Sequence, residues 1–395
     1  MKYALIIPDG AADVPLADLD GKTPLQAANK PNIDWIATHG RLGTVRTVPK
    51  GLACGSDVAI MAVLGYDPRQ YYTGRAPIEA AAQNLTVDAD EWIFRCNLVT
   101  IVDGIMEDYS AGHISTEEAT AIIGEINRLL GGQNVKFYPG VSYRHLMTYK
   151  GNANVTTTPP HDILGKPVAQ YLPTGDNADL LRTMIDRSQT ILAEHEVNVV
   201  RRDLGENPAT HIWLWGQGKM PHLPSFQSKF GVKGAAITAV DLVRGLAQLI
   251  GWPTIAVSGA TGYLDTNYAG KGAAAVAAID KYDLVVVHVE APDECGHSAD
   301  CAGKVRSIEQ IDQHVVGPVL ERLKKEGDDW RILVLPDHPT PCTIRTHTGD
   351  AVPYAMAGKR VESVVNGPFD EETAKTTDLH IDVGSELMEF FLTVR

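Results

Sequence analysis

A chain of 395 residues with 44 % apolar and 21 % charged side chains is long enough for two domains and can build a large core without disulfide or metal staples. Its formal net charge of −14 excludes a general phosphate-backbone binder, whose footprint is a basic surface, so nucleic acid is not an expected partner. A small anionic substrate needs only a local cluster of Arg, Lys or metal, and stays open.

No apolar run approaches the ~18 residues of a membrane span, so no membrane partner is expected. The N-terminal MKYALIIPDG meets a carboxylate too soon for a signal peptide. Five cysteines (Cys54, Cys96, Cys295, Cys301, Cys342) without CxxC spacing predict reduced thiols in a cytoplasmic protein. Cys54 and Cys295 fall near candidate site residues, but small residues packed beside a loop are the simpler reading of both.

In chain order, Tyr3 to Ile7 is the first strand-like run, and it ends in Pro8-Asp9-Gly10. A helix is expected around Ile33 to Thr38, closed by Gly40. In VPKGLACGSDVAIMAVLG (48–65) the glycines loosen the chain and Ser56-Asp57 opens an apolar helix, Val58 to Leu64. A serine there either caps the helix or turns its hydroxyl to where N–H groups and the helix dipole favour negative charge. The segment 65–80, with Arg69 and Arg75, reads as a loop leaving a first domain.

From 81 to 184 the texture changes. Strand-like pieces at 92–98, 134–138 and 144–149 alternate with helical pieces at 115–130 and 177–194, as in an inserted α+β domain. The parallel-sheet pattern is expected to resume near Val197. There follow a strand at 211–214, a helical pattern over 230–249, a short strand at 255–257, an Ala-rich helix to Ile279 and the strand Asp283 to Val289. A long helix from about Ser307 to Lys325, the Arg331 strand and a C-terminal helix around 383–391 complete the chain. The alternation predicts an α/β, doubly wound, mostly parallel sheet built from 1–80 and 185–395. Neither GxxxxGK[ST] nor a GxGxxG opening a helix after the first strand is present, so nucleotide binding through those motifs is not expected.

Three predicted strands each end by presenting a carboxylate. Asp9 follows the first, Glu290 and Asp293 follow the second with His297 four residues on, and Asp337-His338 follow the third with His347 beyond a Pro/Thr-rich loop. Ligands of open α/β sheets sit beyond the carboxyl ends of the strands, so one sheet would gather these groups at one edge. Carboxylates and imidazoles so gathered suit divalent metal ions.

The motifs PDG at Pro8, GSD at Gly55, LGYDP at Leu64, YTGR at Tyr72, APDECGH at Ala291, PDHPTP at Pro336 and THTGDAVP at Thr346 span nearly the whole chain. Their ordered set resembles the archaeal-type, cofactor-independent (2,3-bisphosphoglycerate-independent) phosphoglycerate mutases of the alkaline phosphatase superfamily. The resemblance implies one metal site of Asp293, His297 and His347 and another of Asp9, Asp337 and His338 with Ser56. It implies manganese first, with zinc, magnesium or cobalt admitted by the same ligands, and no 2,3-bisphosphoglycerate. Ser56 would be the nucleophile of a phosphoserine route between 3- and 2-phosphoglycerate. The inserted domain would act as a lid that excludes water. Arg75, Arg95, Arg144 and Lys271 are the candidates for holding the small phosphorylated substrate, and His113 for acid–base work. The MEDYSAGHIS segment and Pro339 are closer to a bacterial side branch with proposed homoserine kinases, so a kinase-like phosphotransferase is the alternative, with a phosphatase or phosphonate hydrolase as a third reading.

Overall fold

The computed structural model describes residues 1–363 and 367–393. The described chain divides into two compact units, Thr73–Pro221 and the remainder on either side of it. Among the described residues no helix is long and apolar enough to cross a membrane.

The first unit is built on a seven-stranded sheet in the order Gly234–Ile237, Leu284–Val289, Lys2–Pro8, Trp330–Val334, Val352–Gly358, Arg41–Val45, His380–Ile381. Only Val352–Gly358 runs against its neighbours; the other pairings are parallel. The central strands are the near-continuous apolar runs that a sheet covered on both faces requires. Ala4, Ile6, Val285, Val287, Ile332 and Val334 pack on one face with the helices Pro31–Thr38, Tyr268–Ile279, Cys301–Ile311 and Gly317–Lys324. On the other face Tyr3 meets Phe391 of the Glu386–Thr393 helix edge-on at 5.6 Å. That helix and Asp241–Leu249 pack against Ser56–Val63. The sheet is thus doubly wound, as the alternating pattern predicts.

The second unit is α+β. Its strand Trp92–Val102 pairs antiparallel with Arg144–Tyr149 and with His211–Lys219. The helices Thr116–Leu130 and Ala178–Ala193 cover a shared apolar cluster. The first of them starts where a capping box is written: Ser115 Oγ accepts from the Glu118 N–H at 3.2 Å, and Glu118 accepts from the Ser115 N–H at 3.0 Å.

Several expectations need correction. The inserted unit runs from 73 to 221 rather than 81 to 184, because His211–Lys219 completes its antiparallel sheet instead of resuming the parallel one. Within 230–249 the helical residues are Phe230, which ends the short helix Phe226–Phe230, and Asp241–Leu249; Gly234–Ile237 is an edge strand. Its small residues reflect close packing, since a side chain at Gly234 would enter the Trp252 ring. The 255–257 strand reduces to an isolated bridge, Ala236 to Thr254. The helix expected from Ser307 begins at Cys301 and passes through a π segment, Asp312–Val316. Arg41–Val45 is short and of mixed composition, and Val352–Gly358 carries a proline and small residues in place of the β-branched run of a central strand.

His145 gives the second unit a pH dependence. It is 1 % exposed, its Nδ1 accepts from the Gly140 N–H at 2.9 Å, and burial, reinforced by the charge of Arg144, holds its pKa down at about 3. Between its ordinary 6.5 and about 3 the unfolded chain binds a proton that the folded chain refuses. Stability is therefore present above pH 6.5 and falls with decreasing pH by up to ~1.4 kcal/mol per unit from this residue. In urea unfolding at pH 7 and pH 5, His145→Gln is expected to lose less stability than the wild type on acidification.

Candidate active site

Parallel strands deliver the site residues at their carboxyl ends. Because Pro8 pairs with Val289 and Ile6 with Val334, the chain leaves all three central strands at one edge. Asp9 leaves the first, Asp337 and His338 the third. After Leu284–Val289 the helix Ala291–Ser298 begins at once and sets Asp293 and His297 one turn apart on a single face. A loop returns His347 beside them. His297 Nε2 lies 3.2 Å from Asp293 Oδ2 and 2.9 Å from His347 Nε2, and His347 Nε2 lies 3.4 Å from Asp293 Oδ1.

A second group adjoins the first. His338 Nε2 is 3.2 Å from Asp337 Oδ2, 3.6 Å from Asp9 Oδ1 and 3.1 Å from Ser56 Oγ. Asp9, Asp337 and His338 are wholly buried. Ser56 is the first residue of the helix Ser56–Val63; the N-cap position belongs to Gly55, which has no side chain to cap with. The hydroxyl is therefore not used as a cap and is turned toward His338.

Among the described residues, donor atoms close enough to share an ion occur in three sets: Asp293, His297 and His347; Asp9, Asp293 and His338; Asp9, His288 and Glu290. Asp9 Oδ1 and Asp337 Oδ2 are buried with no hydrogen-bond partner among the described residues. Orphaned carboxylate oxygens beside imidazole nitrogens, with no thiolate, fit divalent cations. The electrostatics agree. Burial, then the charges of Asp337, Glu290 and Asp293, push the Asp9 carboxyl well above its usual range. Burial and Asp293 raise Glu290 to about 8. Burial also opposes ionisation of Asp293, but bonds from His297 and His347 hold it well below the usual carboxylate range, and the same bond lifts His297 to about 9. The protein alone is short of positive charge here.

Surrounding groups hold the donors still. Gly10 adopts φ +61°, and a Cβ there would meet Asp293 Oδ1 at 2.5 Å and Thr340 Oγ1 at 2.6 Å; its N–H donates to Asp337 Oδ1 at 3.1 Å. The hydroxyl of Thr340 is bonded to Asp293. Lys304, wholly buried, donates to Asp13 Oδ2 at 2.8 Å, Thr340 O at 2.8 Å and Ala12 O at 3.3 Å, tying the loop after the first strand to the loop after the third. His288 Nε2 lies 2.6 Å from Asp9 Oδ2, with Nδ1 3.1 Å from Thr238 Oγ1.

In the second unit three guanidinium groups gather around one carboxylate. Arg95 Nε lies 2.9 Å and Arg75 Nε 3.2 Å from Glu79. Arg95 also lies over the Trp215 ring at 4.1 Å. Burial lowers its pKa to about 10, against the pull of Glu79 and with the charges of Arg75 and Arg144 adding to the fall. Arg144 lies over the Tyr143 ring at 5.7 Å, and exposed His113 meets the same ring edge-on at 6.2 Å.

A family model described as 2,3-bisphosphoglycerate-independent phosphoglycerate mutase matches residues 37–198. A protein of Methanothrix thermoacetophila bearing that name is 50 % identical over 392 residues, covering 99 % of this chain and 100 % of the relative. The chain belongs to the 2,3-bisphosphoglycerate-independent phosphoglycerate mutase family. Among solved structures, a protein from Pyrococcus horikoshii superposes with a TM-score of 0.83 at 29 % identity, covering 99 % of this chain and 96 % of that one. The cofactor-independent phosphoglycerate mutase of Thermoplasma acidophilum gives 0.66 at 28 % identity, with 99 % and 98 % covered.

Within this mutase-family chain, Asp9, Ser56, Asp293, His297, Asp337, His338 and His347 lie together in the first unit. Arg75, Arg95 and Arg144 lie together in the second, with His113 near Arg144. Lys271 belongs to the first unit, where it is wholly buried and its Nζ donates to the His288 carbonyl at 3.1 Å. Burial pushes the thiols of Cys54 and Cys295 up, that of Cys295 to about 11, which keeps both protonated. Sequence reasoning missed His288, Thr340 and Lys304. A histidine inside the otherwise apolar DLVVVHV was a readable signal for the first; nothing in sequence distance pairs Lys304 with Asp13.

His288 is the hydrogen-bond partner that orients Asp9. His288→Leu is expected to weaken divalent-ion binding by about 10–100-fold, measured by competition with a chelator.

Proposed function

We propose that the chain interconverts 3-phosphoglycerate and 2-phosphoglycerate without 2,3-bisphosphoglycerate, through a phosphoserine at Ser56. The observation that carries this reading is the Ser56 hydroxyl, released from capping and 3.1 Å from His338 Nε2 among the clustered carboxylates and imidazoles. Asp293, His297 and His347 would hold one divalent ion, and Asp9, Asp337 and His338 with Ser56 a second. Manganese is the ion we favour for this carboxylate–imidazole set. Ions held there would lower the pKa of the serine hydroxyl and neutralise charge on the transferring group.

The chain's own residues set the sequence of bonds. Ser56 Oγ gives up its proton and attacks phosphorus, the bond from phosphorus to the C3 oxygen breaks, and that oxygen takes up a proton. The C2 hydroxyl of the retained glycerate then gives up its proton and attacks the phosphoserine; the bond from phosphorus to Oγ breaks and Oγ takes a proton back, restoring Ser56. Water takes no part, so it must be kept from the phosphoserine. His113 is our candidate for moving the proton. Arg75, Arg95 and Arg144 are suited to grip the carboxylate and phosphoryl group of the substrate, because guanidinium forks match both. Lys271, buried in the first unit within the field of Glu290, is our candidate from that unit for meeting the substrate. The cysteines are unpaired, which supports a reduced, cytoplasmic setting.

Manganese-loaded protein given 3-phosphoglycerate alone is expected to form 2-phosphoglycerate, and Ser56→Ala to lose at least about a thousandfold in rate. Inorganic phosphate as the main product would instead mark a hydrolase. Arg144→Met is expected to raise KM by about 10–100-fold, the worth of a charge-assisted hydrogen bond, with kcat changed only a few-fold; initial-rate kinetics separate the two.

A further inference from the structure

Thr340 lies between the two proposed ion sites and touches a donor of each. Its Oγ1 is bonded to Asp293 and lies 3.2 Å from His338 Nδ1. A threonine hydroxyl has one proton to give and lone pairs with which to accept. Facing a carboxylate, which can only accept, it must give that proton to Asp293. The opposite orientation would press its lone pairs against a carboxylate oxygen. His338 Nδ1 is then left as the donor to Thr340. A neutral imidazole with its proton on Nδ1 presents a bare Nε2, and Nε2 is the atom that faces Ser56 Oγ, Asp337 Oδ2 and Asp9 Oδ1.

The hydroxyl has little freedom to choose otherwise. Thr340 is wholly buried. Its carbonyl accepts from Lys304 at 2.8 Å and its N–H donates to Ala12 O at 3.2 Å. Its side chain also fills the space beside Gly10 and Gly296, where a Cβ on either glycine would strike it.

We propose that Thr340 is a positioning residue that couples the two ion sites: the Asp293 carboxylate of one site, acting through this single hydroxyl, sets the tautomer of His338 in the other. The inference rests on the ion-binding reading above. It adds that the sites are not independent, since the group that orders one also aims a donor of its neighbour.

The test titrates metal-free wild type, Thr340→Val and Thr340→Ser with Mn²⁺, counting bound ions from the loss of the free-ion paramagnetic resonance signal. Wild type and the serine variant are expected to bind two ions. The valine variant, equal in shape but lacking the hydroxyl, is expected to bind one of them about 10–100-fold more weakly. A valine variant indistinguishable from wild type overturns the coupling, whereas a wild type that binds no ion overturns the ion-site reading itself. Nitrogen-15 spectra of histidine-labelled, metal-free wild type, with the His338 signal identified by its loss in His338→Asn, need no folded valine variant. They must show His338 protonated at Nδ1; protonation at Nε2 sinks the inference.

Discussion

The arrangement depends on negative charges packed where water cannot reach them. Asp9 and Asp337 are wholly buried and Asp293 nearly so, with Glu290 alongside. Like charges removed from solvent repel strongly and lose their hydration, a cost of several kcal/mol per ion even after relaxation. Such a cluster persists in a fold only if cations or protons answer it. Some of the answer is internal, in the bonds from His297 and His347 to Asp293. The remainder, read from the unpartnered oxygens of Asp9 and Asp337, is the physical argument for divalent ions.

A site of this kind needs a rigid frame, because uncompensated charge would otherwise distort the loops that carry it. The frame has three parts. The parallel strands bring the loops to one edge. Gly10 allows the first loop to pass so close to Asp293 that no side chain fits. Beneath both loops, Lys304 and Asp13 form an enclosed ion pair whose ammonium also takes two backbone carbonyls. A buried pair of this sort is modest evidence for stability, but removing either partner leaves a naked charge. It therefore locks the relative position of segments nearly three hundred residues apart in sequence.

The second unit shows the opposite electrostatic design. Two guanidinium groups share the Glu79 carboxylate and the charge of Arg144 acts on it as well, so the cluster keeps excess positive charge in a partly buried setting, which suits an anionic ligand. Trp215 and Tyr143 supply flat faces against which two of the arginines rest, which limits the side-chain freedom lost when a ligand is gripped. A chain with a formal charge of −14 can bind an anion because what matters is the local field, not the sum.

By itself the sequence determined the fold class and pointed to six of the seven gathered residues, for one reason. Apolar runs that stop at a carboxylate mark strand ends, and parallel strands must present those ends on the same edge. The ordered motifs added the serine. What only the tertiary structure decided is which residues answer one another across long stretches of chain: Lys304 with Asp13, Thr340 with both Asp293 and His338, His288 with Asp9, and His211–Lys219 with Trp92–Val102. Such pairings leave no local period or composition to read. They arise when buried polar groups, unable to reach water, must find partners among whatever the packed elements place within about 3 Å.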